Sequence, residues 1–235
     1  MLAIFKRELS SYFLSPIAYV AMAIFYLFSG IFFYMICLQY DTSDLSGVFS
    51  QMFIVVLMIT PIITMRSFSE ERRQRTDQAL FTAPVSLLQI VMGKFLSAFV
   101  VYACCVAIFL VYALVIQFFF VTPDWAVILG TMFGILLLGA ALIAIDIFLS
   151  SLTESQVVAA LLGFGVALAI SLIDVATSYF TSEFMQRLVS GISFNQNYVN
   201  FTRGIIDLID TVFFISIIVV FIELTVAMLD VKRTR

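Results

Sequence analysis

The chain has 235 residues, of which 63% are hydrophobic, 15% aromatic and only 11% charged, with a formal net charge of −3. Soluble domains hold roughly 45–50% apolar residues, so a mean hydropathy of +1.14 reads as a membrane protein. There is no histidine, which removes histidine-ligated haem, most catalytic dyads and the usual zinc sites; Cys37, Cys104 and Cys105 have no metal or redox spacing.

Residues 2–13 set Leu2, Phe5, Leu9, Tyr12 and Phe13 at helical spacing, with Lys6, Arg7 and Ser10 elsewhere on the wheel. That pattern predicts an interfacial helix on the cytoplasmic leaflet. Ser15-Pro16 then turns the chain, proline suiting the first turn of a helix. The apolar run that follows is longer than the core of a signal peptide, so a retained span is expected.

A bilayer core about 30 Å thick takes roughly 20 apolar residues of helix. Six stretches meet or approach this: 17–38, 48–65, 95–121, 126–149, 157–180 and 211–229. They leave no room for a soluble catalytic domain, and residues 1–235 read as one membrane domain. Pro61 in the second stretch predicts a kink, because neighbouring helices can satisfy the carbonyl that it frees.

Between the second and third stretches lies a charged island, Arg66–Asp77 (RSFSEERRQRTD), which cannot stay in hydrocarbon. Ser67 and Glu70 have capping-box spacing, so a helix is expected from near Ser67 to about Thr82. Its first turns are charged, and Ala79, Leu80 and Phe81 make its end apolar. Ala83-Pro84 interrupts it, and Ser86 is placed to cap the helix entering span three. Further on, Gly130 and Gly134 form a small-xxx-small pair suited to close packing within the subunit. Residues 181–210 interleave apolar and polar side chains, which predicts short helices resting on or dipping into the outer leaflet.

Six crossings put both termini on one side. That side carries Lys6, Arg7, Arg66, Arg72, Arg73, Arg75, Lys94, Lys232, Arg233 and Arg235, against only Arg187 and Arg203 opposite. The positive-inside rule makes it the cytoplasmic side. Asp146, Asp174 and Glu223 fall within predicted spans. A proton relay is their functional reading, but acids near a membrane edge can snorkel or bond a neighbouring helix, and the structural role is favoured. No glycine-rich phosphate loop is present, so this chain is not expected to hydrolyse ATP, nor to bind a metal or cofactor itself.

Several segments together resemble the permease subunits of ABC-2 type transporters. They are the N-terminal helix leading to Tyr12-Phe13-Leu14-Ser15-Pro16, Glu70-Glu71-Arg72-Arg73 with Thr76-Asp77-Gln78-Ala79-Leu80, and Ala83-Pro84-Val85-Ser86 leading to Gly93-Lys94. The six-span layout completes the match. Asn200-Phe201-Thr202-Arg203-Gly204-Ile205-Ile206-Asp207 is similar to the gliding-motility-associated (Gld-type) branch. Arg75 departs from the glycine that many relatives carry before the threonine.

The resemblance implies an all-α integral membrane fold of six transmembrane helices, with an N-terminal interfacial helix and a cytoplasmic coupling helix between spans two and three. The coupling segment would comprise Glu70, Glu71, Arg72, Arg73, Thr76, Leu80 and Phe81, docking on a cytoplasmic ABC ATPase subunit that holds ATP and Mg. Arg203, Gly204 and Asp207 would lie at an outer gate. A second permease copy or paralogue, an accessory Gld-type membrane protein and the lipid bilayer complete the implied partners. No nucleic-acid partner is expected. The implied location is the inner (cytoplasmic) membrane, with export the family's usual direction. Residue chemistry alone leaves other classes open: a stand-alone ion-coupled carrier or channel using Asp146 and Glu223, an intramembrane enzyme, or a membrane anchor that assembles with an ATPase and moves nothing.

Overall fold

The computed structural model describes residues 2–40, 42–73, 85–119, 124–176 and 191–233. These residues form helices and no strand. In chain order they are α1 (Leu2–Leu14), α2 (Pro16–Phe33, continued by a π-helical turn Tyr34–Leu38), α3 (Ser46–Thr64), α4 (Ser69–Arg73) and α5 (Leu87–Val106). There follow α6 (Ile108–Phe119), α7 (Trp125–Leu152), α8 (Gln156–Ala176), α9 (Phe194–Thr202) and α10 (Leu208–Arg233). Six stretches are long and apolar enough to cross a membrane: α2, α3, α5 with α6, α7, α8 and α10. The protein is an all-α, multi-pass membrane protein.

Local chemistry sets the helix starts. Ser15 Oγ accepts from the Ile17 amide with Pro16 in the first turn, and Ser86 Oγ accepts from Gln89. The Asp124 carboxylate accepts from the Ala126 and Val127 amides, and Ser193 Oγ from that of Gln196. Each cap satisfies an amide that has no partner inside its helix. Hydropathy and helix limits part company at span three, where 95 was expected as the first residue. α5 begins at Leu87 instead, because Gly93-Lys94 interrupts the apolar run without interrupting the backbone ladder. Pro61 lies inside α3, and the ladder resumes with the Met65 amide donating to the Pro61 carbonyl at 2.9 Å.

The bundle is organised around α7, which packs against α3, α5, α8, α9 and α10. Its glycines make this possible. A Cβ on Gly139 would lie 2.1 Å from the Tyr102 ring, and one on Gly134 2.2 Å from Phe201. The Tyr102 hydroxyl crosses to donate to the Ile135 carbonyl at 2.7 Å, so its ring fills the notch and its polar end is bonded. Gly130 meets the Gly204 carbonyl. The Gly130/Gly134 pair therefore serves packing within this chain.

α9 is a short helix, as expected for this segment, and it packs into the bundle: Phe194, Asn197, Tyr198, Phe201 and Thr202 are buried. Phe194 stacks edge-on against Phe213 at 5.5 Å and Phe214 at 5.9 Å, and the Tyr198 hydroxyl donates to the Phe49 carbonyl at 3.0 Å. Aromatic residues at i, i+4 and i+7 give α9 one apolar face, which inserts among α3, α7, α8 and α10. Asn195 and Gln196, on the other faces, are exposed.

Candidate functional site

The charged island starts where α3 ends, and its described half is held by three other parts of the bundle. After Thr64 the chain turns through 65–68 into α4. The expected capping box does not form, because the Ser67 hydroxyl is taken by the Tyr12 hydroxyl at 3.1 Å. A side chain from another helix caps instead. Ser150 Oγ, on α7, accepts from the Phe68 and Ser69 amides at 3.2 and 3.3 Å and lies 3.3 Å from the Met65 carbonyl, to which it donates. Ser69 Oγ also bonds the Met65 carbonyl. One buried serine thus ties the start of α4 to the C-terminal end of α7.

Lys94 is the centre of the site. It is only 1% exposed, about two turns inside α5. Its ammonium pairs with Glu8 at 3.2 Å and Glu71 at 3.0 Å, donates to the Ser67 carbonyl at 2.6 Å, and sits 5.0 Å from the centre of the Phe68 ring. Arg7 closes the ring of charges, meeting both Glu8 and Glu71 at 2.7 Å. Two bases and two acids therefore balance. This is the condition for keeping a lysine so deeply buried, since an unpaired charge there would cost several kcal/mol.

α1 supplies half of this arrangement through a stripe that differs from the one expected. Ile4 lies against Gly93, Glu8 reaches Lys94, and Tyr12 donates to the Ile63 carbonyl at 3.1 Å. These are one face of a helix, spaced by four. Of the apolar stripe expected, Leu2 and Phe13 remain exposed, while Tyr12 is buried. The protein-facing stripe carries an acid and a phenol because its partners are a lysine and a turn. Burial pushes the Tyr12 phenol up to about 12, and the hydrogen bond that Arg7 donates to Glu8 is the largest cause raising the Arg7 guanidinium.

The remaining coupling candidates are distributed as follows. Glu70 pairs with Arg66 at 2.8 Å, and Arg66 also donates to Ser11 Oγ at 3.1 Å. Arg72 donates to the Ser151 carbonyl at 2.9 Å and lies 3.5 Å from Glu154, in the α7–α8 turn. Glu70, Glu71 and Arg72 thus point into this chain, while Arg73 is exposed. Thr76, Leu80 and Phe81 lie outside the described residues. A cavity of about 300 Å³ opens beside the node, lined by Arg7, Tyr12, Arg66, Ser67, Glu70 and Glu71 among others.

The outer candidates fall in the α9–α10 turn. Arg203 ends α9 and is exposed. Gly204 has φ +73, and a Cβ there would lie 2.7 Å from Val127 Cα, so both conformation and space require glycine. Asp207 caps α10, accepting from the Ile209 amide at 3.1 Å. Of the intramembrane acids, Asp174 accepts from Ser193 Oγ at 2.6 Å and fastens α8 to the start of α9. Asp146 is buried beside Thr60, and one of its oxygens would be 2.9 Å from a Cβ on Gly163. Glu223 is exposed on α10. Among the described residues no cluster of three or more acids or cysteines has the spacing of a metal site.

Sequence reasoning missed Glu8, Tyr12, Lys94 and Ser150 as site residues. A lysine flanked by apolar residues inside a helix-length run was the available signal, since such a charge demands acids nearby. No curated protein matches the chain. Its sequence does match, over residues 14–234, the family described as "ABC-2 family transporter protein". That match covers nearly the whole chain, and it agrees with the six crossings and the anchored charged island: the chain belongs to the ABC-2 transporter family, as a membrane-spanning permease component.

Proposed function

We propose that this permease is driven by a separate cytoplasmic ATPase subunit, which carries ATP and Mg, and that α4 and the residues after it form the coupling segment. Two permease units, as a pair of copies or as paralogues, line the pathway, with export its direction and the inner membrane its location. Both termini and α4 face the cytoplasm in this reading, and the Gld-type branch, with an accessory membrane protein, is its closest relation. Arg203, Gly204 and Asp207 belong to the outer end of the pathway.

One observation carries the proposal: α4 is wired to α1, α5 and the α7–α8 turn through Glu71, Lys94, Arg72 and Ser150. A partner that pulls on the next turns would therefore move several spans together, as differential binding of ATP to two states requires. Arg73 and the apolar end at Leu80 and Phe81 are then the groups for the partner, while Glu70, Glu71 and Arg72 transmit. This refines the roles implied by resemblance, in which all four charged residues met the ATPase. The intramembrane acids keep structural roles, and Asp146 and Glu223 do not make one relay, the first being buried on α7 and the second exposed on α10.

The test is co-purification with a co-expressed candidate P-loop ATPase and its ATP hydrolysis in proteoliposomes. Truncating Phe81 to Ala is expected to weaken association by about 2 kcal/mol, as loss of an apolar anchor does. Glu71→Gln is expected to leave association nearly intact and to reduce the dependence of hydrolysis on the permease. Equal behaviour of both variants and the parent would remove the coupling role.

A further inference from the structure

A second cavity, of about 570 Å³, adjoins the charged node and opens where α1 turns into α2. Its lining is Arg7, Ser10, Ser11, Leu14, Ser15 and Arg66, two cations and three hydroxyls with no acid. It shares Arg7, Ser11 and Arg66 with the cavity beside the node, whose own lining adds Glu8, Glu70 and Glu71, so the acids lie on the node side of the two arginines and the hydroxyls on the α2 side. Leu14, at its rim, is 84% exposed, one residue before Ser15 and the first span. A groove with a cationic, hydroxyl-lined floor and an apolar lip at the start of a span lies at headgroup depth. Tyr19 and Val20, exposed on the first turns of α2, continue the apolar surface from that lip.

The guanidinium of Arg66 is only partly committed. Its Nε bonds Glu70 at 2.8 Å, while one terminal nitrogen meets the neutral Ser11 hydroxyl at 3.1 Å. A phosphate oxygen is a stronger acceptor than a serine hydroxyl, and a charge-assisted bond to arginine is roughly twice as strong as a neutral one. Lys6, one turn before Ser10 on α1, is exposed.

We infer that this groove binds an anionic phospholipid of the adjacent leaflet: its phosphate on Arg66, Arg7 and the hydroxyls of Ser10 and Ser11, its acyl chains along Leu14 and α2. Ser15 keeps its hydroxyl on the Ile17 amide and serves as the floor of the groove. The bound phosphate would sit on the two arginines that also hold Glu70 and Glu71, so lipid occupancy bears directly on the seat of α4. This site does not depend on the ATPase reading, because it would operate in any membrane protein with this geometry.

Native mass spectrometry of the full chain in detergent, titrated with phosphatidylglycerol, tests the site. A one-to-one adduct is expected to persist with phosphatidylglycerol and to be weaker with phosphatidylcholine. Ser10→Glu places a negative charge in the groove at an exposed position without touching the node. With about 1 kcal/mol per charge near a membrane surface, it should weaken the adduct by about fivefold. Arg66→Gln should weaken it at least as much, and Ser43→Glu, at the opposite end of the spans, should leave it unchanged. An adduct that Ser10→Glu and Arg66→Gln both leave at parental strength refutes the site. Displacement of the lipid by millimolar inorganic phosphate alone would refute the lipid as occupant and make the groove a free-phosphate site.

Discussion

Replacing Lys94 with methionine removes the most buried charge of the node while keeping the length of its side chain. The ammonium holds Glu8 at 3.2 Å, Glu71 at 3.0 Å and the Ser67 carbonyl at 2.6 Å. Breaking a buried ion pair by deleting one partner costs about 3–5 kcal/mol. Here Arg7 remains on both acids, and their side chains keep 14% and 17% exposure. The expected cost therefore falls to about 2–3 kcal/mol. Glu71→Gln leaves Lys94 paired with Glu8 and should cost about 1–2 kcal/mol. The two changes share one contact, so the double variant should cost less than their sum by about 1–2 kcal/mol. Reversible unfolding in mixed micelles measures all three, and hydrogen exchange of the α4 amides reports whether the seat of that helix loosens. Costs that add within about 0.5 kcal/mol would show that Lys94 and Glu71 do not act together, and the wiring of α4 would be refuted.

Gly139→Ala pushes a methyl group into the Tyr102 ring and should destabilise by about 1–3 kcal/mol, whereas Gly165→Ala meets open space and should be neutral or stabilising by up to about 1 kcal/mol; thermal unfolding of the two side by side decides. Tyr12→Phe should cost about 1–2 kcal/mol, because the hydroxyl serves both Ile63 and Ser67. Its pH dependence has a definite sign. Burial raises the Tyr12 phenol from 10.0 to about 12, so the fold favours the neutral form. The stability that this contributes is fully present below pH 10 and lost as pH rises through about 12. The gap between the parent and Tyr12→Phe should therefore narrow between those values, and a constant gap would contradict the buried phenol.

Hydropathy made the six crossings legible, because length and apolar content are properties of the chain itself. The cap at Ser86 and the turn at Ser15-Pro16 were legible for the same reason: each acts on an amide two or three residues away. The node was not legible. Ser150 is more than eighty residues from the amides it caps, and Glu8 is farther still from Lys94, so no local pattern announces either pairing. Sequence spacing also assigned Ser67 to a capping box, and a tyrosine from α1 took its hydroxyl. The packing of α9 was not legible either: the mixed residues of 181–210 indicated short helices, but not that three aromatic residues on one face would bury this one among other helices. The coupling candidates Glu70, Glu71 and Arg72 drew notice through their charge, and that charge is matched by Arg66, by Arg7 and Lys94, and by Glu154.

Cross-linking at the exposed end of α4 tests the account most directly. Cys37, Cys104 and Cys105 are first replaced, and single cysteines are then introduced at Arg73 or at Ser43. The co-reconstituted ATPase should cross-link to the chain through position 73, with a yield that changes when ATP is added, and should give no product through position 43. A product through position 43 and none through position 73, or a yield at 73 indifferent to ATP, would contradict a permease driven through its charged island.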